Sequence, residues 1–183
     1  MTALFIQKCL VFGPKLMRDF GWDIDGAAAC LGNGGHESNG FAAMYEVGKR
    51  RGAGGVGGWQ WTGPRARSFE SWCHVHGVDI KSDQGTYDYL AFELHGPERA
   101  TVCAVKKAVG LTGKTRAFMT KFERPGIAAL SSRVRWAELA QATLRHHAGI
   151  GPAPAPVHPI PPAPKRAVRA PMAKKATRRH RHA

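Results

Sequence analysis

The chain is poor in acid. It holds 13 Asp and Glu against 27 Lys and Arg, a formal net charge of +14. After Ala148 there is no acid at all, only eight Lys or Arg, while the first 147 residues set 19 basic residues against all 13 acids, a net of +6. Both parts are basic, which predicts a negatively charged partner such as nucleic acid, anionic lipid, lipopolysaccharide or cell-wall polymer. Long apolar runs are also missing, and none approaches the length that spans a bilayer. The first residues, MTALFIQKCLVFGPKLM, put Gln7 and Lys8 inside their apolar stretch and offer no small-residue cleavage site, so they do not read as a signal peptide. Cysteine is sparse. Cys9, Cys30, Cys73 and Cys103 form no CxxC pair, which argues against a zinc site; Cys30 and Cys73 fall on apolar helix faces and read as buried thiols, with one or two disulfides as the alternative. No cofactor and no metal is called for, and no fixed-period repeat appears.

What is present is a domain-sized chain of 183 residues, enough for one real core. Apolar residues recur at helical spacing through most of it, which predicts a mainly α fold. Residues 2 to 20 read as one or two short helices interrupted at Gly13-Pro14, with Phe12, Leu16 and Phe20 inward. Asp23 suits the N-cap of the next helix, whose inward face would be Ile24, Ala27, Ala28 and Leu31 and which should decay at Gly34-Gly35 and end between Glu37 and Gly40. From Phe41 to Gly63 the chain is glycine-rich, predicting a loop or small β-hairpin. Later helices are predicted to open at Pro64, at Ser82 or Asp83, and at Pro97. Phe118 and Phe122 mark a short helix ended by Pro125, and Val134 to Leu144 forms the last. Past His147 the composition shifts to eight Pro and eight basic residues, which reads as a disordered tail over 148–183 following a domain over 1–147.

Two stretches carry the chemistry. Residues 31 to 41 read LGNGGHESNGF and place one carboxylate, Glu37, among small neighbours; residues 55 to 65 read GVGGWQWTGPR. By helical geometry Glu37 lies about 240° around from Leu31, away from the anchoring stripe and towards a cleft or solvent. Cleaving a glycosidic bond needs a protonated carboxyl beside the leaving oxygen. The partial negative charge of a helix C-terminus favours the acid form, and aromatic walls of Phe41, Trp59 and Trp61 would add desolvation in the same direction. Flanking glycines would leave room for a sugar. Tyr45, Trp59 and Trp61 would offer faces for sugar rings, and Gln60 and Thr62 would serve their hydroxyls and amides. The bland alternative is a Glu that merely decorates a helix end.

LGNGGHESNGF followed by GGVGGWQWTGPRARSFESWC, with the later FMTKFERPG and SSRVRWAELA in the same order, resembles the phage tail lysozyme family, a branch of the lysozyme-like glycosidases. The resemblance runs over roughly residues 20 to 145. It implies a lysozyme-like helical fold and a peptidoglycan hydrolase of the endolysin kind, a muramidase with Glu37 as catalytic acid. Glu46 follows Glu37 with eight residues between, a spacing similar to that of the catalytic acids in many phage-type lysozymes, although Gly52 stands where those enzymes have Thr. Glu46 is therefore a second candidate. Without it, the single-acid pattern of goose-type lysozymes and lytic transglycosylases applies.

Other arrangements read less well. Cys73-His74, or Cys30 with His36, is adjacency in sequence and not a catalytic pair. His74 and His76 would point to different helix faces and make no metal site. The tail lacks aromatic residues for stacking, so specific nucleic-acid readout is not expected, whereas charge alone would draw it to the anionic bacterial envelope, lipopolysaccharide included. The expected partner of the domain is the peptidoglycan glycan strand, met as a monomer. The expected route is synthesis in a host cytoplasm and release through another protein's membrane lesion, or carriage in a virion. A nonenzymatic basic binder of envelope polymer or nucleic acid is the alternative from a different class.

Overall fold

The structure is a computed structural model that describes residues 2–46 and 54–151. Residues 47–53, within the glycine-rich stretch, and residues 152–183, on which the tail expectation falls, lie outside the described residues. Among the described residues there are seven α-helices and one π-helical turn, in the order α1 (Thr2–Phe20), α2 (Ile24–Glu37), α3 (Gly63–Val75), α4 (Asp83–His95), α5 (Arg99–Lys107), α6 (Gly110–Phe118), the π turn (Met119–Glu123) and α7 (Leu130–His147). The fold is mainly α, as the periodicity predicts. Among the described residues between α2 and α3 the backbone makes isolated antiparallel bridges, Tyr45 to Val56 and Val56 to Trp61.

Helix α2 is the axis, packed against α1, α6 and α7. Asp23 caps it as predicted, its carboxylate accepting the Gly26 N–H at 2.8 Å. Every residue from Gly26 to Gly35 is buried, so the helix has no open face over that span and the one-sided stripe expected of it is too narrow. The predicted decay at Gly34-Gly35 does not occur either, because these glycines are positions of close packing. A side chain on Gly32 would meet the Ala137 backbone nitrogen at 2.6 Å, and one on Gly35 would meet the Phe5 ring at the same distance. Space that the sequence suggests for a sugar is filled by protein.

Residues 2 to 20 form one helix and not two. Pro14 forfeits a backbone hydrogen bond, but Phe5, Cys9, Phe12, Leu16 and Phe20 are all buried along one side. At roughly 1.5–3 kcal/mol for each large side chain, that burial outweighs the lost bond. Gly13 contributes by close approach, since a Cβ there would lie 2.3 Å from a Leu144 methyl of α7.

Helices α3 and α4 follow their terminal signals, whereas the helix expected from Pro97 begins at Arg99 and the last begins at Leu130, ahead of Val134. Ser82 Oγ accepts the Gly85 N–H at 2.9 Å at the start of α4. Gly77 takes the left-handed conformation (φ 64°) just beyond α3. Val109, between α5 and α6, is 90% exposed because the chain turns there to begin α6. Phe118 and Phe122 are both fully buried, and the helix that carries them ends in the π turn, where the Arg124 N–H reaches back five residues to the Met119 carbonyl at 2.8 Å. All four cysteines are free thiols; Cys9, Cys30 and Cys73 are buried and Cys103 is exposed. No helix of the described residues is long and apolar enough to cross a membrane.

Candidate active site

Glu37 is the last residue of α2, and its side chain is 25% exposed. Next to it Ser38 stops the helix by turning its hydroxyl back to the Gly34 carbonyl at 2.7 Å and accepting the Phe41 N–H at 3.0 Å. Three consecutive residues then take left-handed backbone, Asn39 (φ 53°), Gly40 (φ 72°) and Phe41 (φ 64°). For Phe that conformation is costly, and such strain concentrates at functional sites. Packing holds it, with the Phe41 ring 5.8 Å from Phe5 and 5.4 Å from Trp59 between centroids.

The counter-charge of Glu37 comes from α7. Arg133 is 1% exposed and donates from Nη2 to the Glu37 carboxylate. Arg133 also donates from Nη1 to Asn33 Oδ1 at 2.9 Å and from Nε to the Ala128 carbonyl at 3.1 Å. Asn33 is itself held by the Ala29 and Thr115 carbonyls, at 2.9 and 3.2 Å. The Glu37 carboxyl is thus positioned by a buried cation that three helices orient. His36 beside it bonds Ser132 Oγ at 3.0 Å and is neutral, its pKa pushed down to about 4 by burial and then by the Arg133 charge.

A second ion pair stands nearby. Arg65 of α3 grips Glu93 of α4 through two bonds, at 2.8 and 2.6 Å, and Trp61 Nε1 donates to the same carboxylate at 2.6 Å. Arg65 also donates to the Phe122 carbonyl at 3.1 Å, with its guanidinium 4.3 Å from the centre of the Phe122 ring. Glu123, at the end of the π turn, feels the charges of Glu37, Arg133, Arg65 and Glu93. Burial first, and the Glu37 charge second, push its carboxyl well above the usual range.

The residues of the Gly-rich segment are placed differently from expectation. Trp59 and Trp61 are each 1% exposed. Trp59 Nε1 donates to the Cys30 carbonyl at 3.3 Å, and the Trp61 ring packs 4.6 Å from Phe69 and 5.0 Å from Tyr89. Both indoles are core, and neither has a free face for a sugar; an aromatic this large and apolar gains most by full burial. Gln60, with φ 47°, ties two loop segments together by donating to the Ala43 and Gly57 carbonyls, both at 2.8 Å. Thr62 is exposed at the N-cap of α3 without a side-chain capping bond, and Tyr45 is half-buried on the bridge to Val56. Glu46 exchanges bonds with Gly55: its carboxylate accepts the Gly55 N–H at 3.1 Å, and its own N–H reaches the Gly55 carbonyl at 2.9 Å. More open aromatic surface lies elsewhere, between α3 and α4, where a concavity of about 570 Å³ is lined by Trp72, His76, Tyr89 and Phe92 among others. Among the described residues, no group of three or more His, Cys, Asp or Glu could hold a metal.

The model of the phage tail lysozyme family matches residues 15–144, more than half of the chain. The chain belongs to the phage tail lysozyme family. That match spans α2, the Gly-rich segment, both ion pairs and the π turn, so the whole charged cluster falls inside the family domain. Nothing among curated proteins or solved structures matches. Membership makes this a lysozyme-like domain of the peptidoglycan-lytic kind, whose chemistry is cleavage of glycosidic bonds. Sequence reasoning singled out Glu37 in this domain but missed Arg133, Glu93, Arg65 and Glu123. Arg133 and Glu123 lie in SSRVRWAELA and FMTKFERPG, the two later blocks that carry the resemblance. Spacing gave no signal for either: Arg133 lies one residue before the predicted last helix, and Glu123 follows the Phe118 and Phe122 pair.

Proposed function

We propose that this phage tail lysozyme domain is an N-acetylmuramidase in which Glu37 is the general acid. The reading rests on Glu37 itself, a part-exposed carboxyl at the end of a buried helix, oriented by a buried arginine. Glu37 gives its proton to the oxygen between N-acetylmuramic acid and N-acetylglucosamine as the bond from that oxygen to the sugar C1 breaks. The charge left on Glu37 is taken up by Arg133, which is already in place and needs no reorganisation. Water then completes the hydrolysis at C1. Glu46 is the candidate base for that water. Tyr45, Gln60 and Thr62 are the candidate sugar contacts, while Trp59 and Trp61 stiffen the wall behind them.

A general acid contributes on the order of 10²–10⁴ in rate. Folded Glu37→Gln is therefore expected to lose at least about 100-fold in the clearing of purified peptidoglycan, and near wild-type lysis would sink the assignment. Circular dichroism must accompany the assay, because the substitution leaves the buried Arg133 without its counter-charge. Mass spectrometry of the fragments separates the two enzymatic outcomes. Reducing muramic acid ends mean hydrolysis; anhydro ends mean a lytic transglycosylase, in which the substrate's own hydroxyl replaces water. If Glu46→Gln keeps full activity, the single-acid pattern holds. Under this reading the enzyme works as a monomer on glycan strands, with the basic tail drawing it to the anionic envelope. It reaches the wall through a membrane lesion opened by another protein, or in a virion.

A further inference from the structure

Asn33 sits one helical turn before Glu37 on α2, and that spacing brings both side chains to one side of the helix. The Arg133 guanidinium of α7 bridges them. It donates from Nη2 to the Glu37 carboxylate and from Nη1 to Asn33 Oδ1 at 2.9 Å. One end of the fork is thus held by a carboxylate and the other by a neutral amide. Asn33 is 0% exposed, and an amide this deep in a helix is stable only where its polar atoms are satisfied. They are satisfied here: Nδ2 donates to the Ala29 carbonyl of its own helix at 2.9 Å and to the Thr115 carbonyl of α6 at 3.2 Å. Those partners also fix which way the amide faces. Two carbonyls accept only from its nitrogen, and a guanidinium donates only to its oxygen.

Resting on the muramidase reading, we propose that Asn33 is a positioning residue of the cleavage reaction, acting through Arg133 on Glu37. A guanidinium is planar and rigid, so holding Nη1 on Asn33 and Nε on the Ala128 carbonyl at 3.1 Å decides where Nη2 points. The side chain of Arg133 is 1% exposed and that of Glu37 25%, so the carboxyl is the open end of this relay and takes its position from the buried end. Helix α6 takes part through Thr115: its carbonyl sets the amide, the amide sets the guanidinium, and the guanidinium sets the acid. An amide suits the position because its oxygen accepts from Arg133 without carrying a charge, which leaves the guanidinium charge to Glu37. Asn33 is too deeply buried to meet a sugar. Its loss is therefore a loss of rate and not of substrate binding.

The test is a double-mutant cycle on the full chain, with Asn33→Leu, Arg133→Met and the two together. It is read as kcat and KM on soluble, uncross-linked glycan strands, well below the melting temperature of each variant. Leu keeps the branched shape of the amide and removes its polar atoms. Asn33→Leu is expected to lose about 10- to 100-fold in kcat, between the scale of one hydrogen bond to a charged group and that of a reacting group misplaced by about 1 Å, with KM little changed. Once Arg133 is Met, the same substitution is expected to cost little further. Wild-type kcat in Asn33→Leu overturns the proposal. So does a loss carried by KM, and so does an equal loss with and without Arg133, which would mean that Asn33 serves the fold alone. Arginine ¹⁵N NMR needs no substrate, and Arg133→Met identifies the signals of Arg133. Its two Nη nitrogens are expected to be distinct in the wild type, where both are held, and averaged by rotation in Asn33→Leu. Averaged signals in the wild type overturn the proposal whatever the variants do. If Asn33→Leu does not fold, Asn33→Ser carries the same expectations. Failure of the muramidase reading looks different. There Glu37→Gln lyses normally and the role in cleavage falls with it, while the Arg133 signals still report the hold of Asn33 on the guanidinium.

Discussion

His36 and Glu123 are two groups of the Glu37 cluster whose pKa values burial shifts in opposite directions, and they act on stability with opposite sign. His36 is deprotonated in the fold, with its pKa at about 4 against an ordinary 6.5. The unfolded chain therefore binds the extra proton in that window, and stability is lost as pH falls through it. The Glu123 carboxyl is raised in the fold, by burial first, above the ordinary value of about 4.3, so its contribution is lost as pH rises beyond that value. The two slopes oppose each other in mildly acidic solution. Replacing His36 with Gln is expected to flatten the acid-side fall in melting temperature while leaving the alkaline side unchanged. Melting curves across pH check this, and an unchanged acid slope would show that another group governs it.

At the scale of elements, the crossing of α2 and α7 decides whether the site exists, because Glu37 and Arg133 sit on opposite sides of it. That crossing is close because α2 has no side chain at Gly32. A Cβ there would lie 2.6–2.7 Å from Ala137 backbone atoms, and backbone cannot swing aside as a side chain tip can. Gly32→Ala is expected to cost about 1–3 kcal/mol by forcing the helices apart, and to weaken lysis together with stability. Gly113 on α6 is the control: its nearest neighbour would be 3.9 Å away, so Gly113→Ala is expected to be neutral or to stabilise by up to about 1 kcal/mol through helix propensity. Urea midpoints of the two variants measure the contrast. The same close packing explains why the sequence reading went astray here. A glycine-rich run looks like a helix breaker and an open floor for a ligand when its neighbours are unknown. Once Ala137, Phe5 and Trp59 are placed against it, it is a packing surface.

At the scale of the whole molecule, charge is the dominant property, with +8 contributed after Ala148 and +6 before it. Attraction of this kind is long-range and screened, with a Debye length of about 8 Å at physiological salt. Replacing the eight tail cations by Gln is expected to weaken binding to lipopolysaccharide vesicles most at low salt and to flatten its salt dependence. Cleavage of purified peptidoglycan by the same variant is expected to change much less. Equal losses in both assays would mean that the tail serves the cleavage step itself.

By itself the sequence determined the helical class, the N-cap at Asp23, the start of α4 at Ser82 or Asp83, the inward face of α1, the family and the position of Glu37. These are local properties, legible from periodicity, capping chemistry and ordered motif blocks. Tertiary structure alone decided the partners of Glu37. Arg133 lies 96 residues away in the chain, and Arg65 and Glu93 are 28 apart. It also decided that Trp59 and Trp61 are core and not platforms, since an apolar ring reads the same in either setting. A charge pair has no signature in spacing. It exists only once α2 and α7 have brought Glu37 to Arg133, and α3 and α4 have brought Arg65 to Glu93.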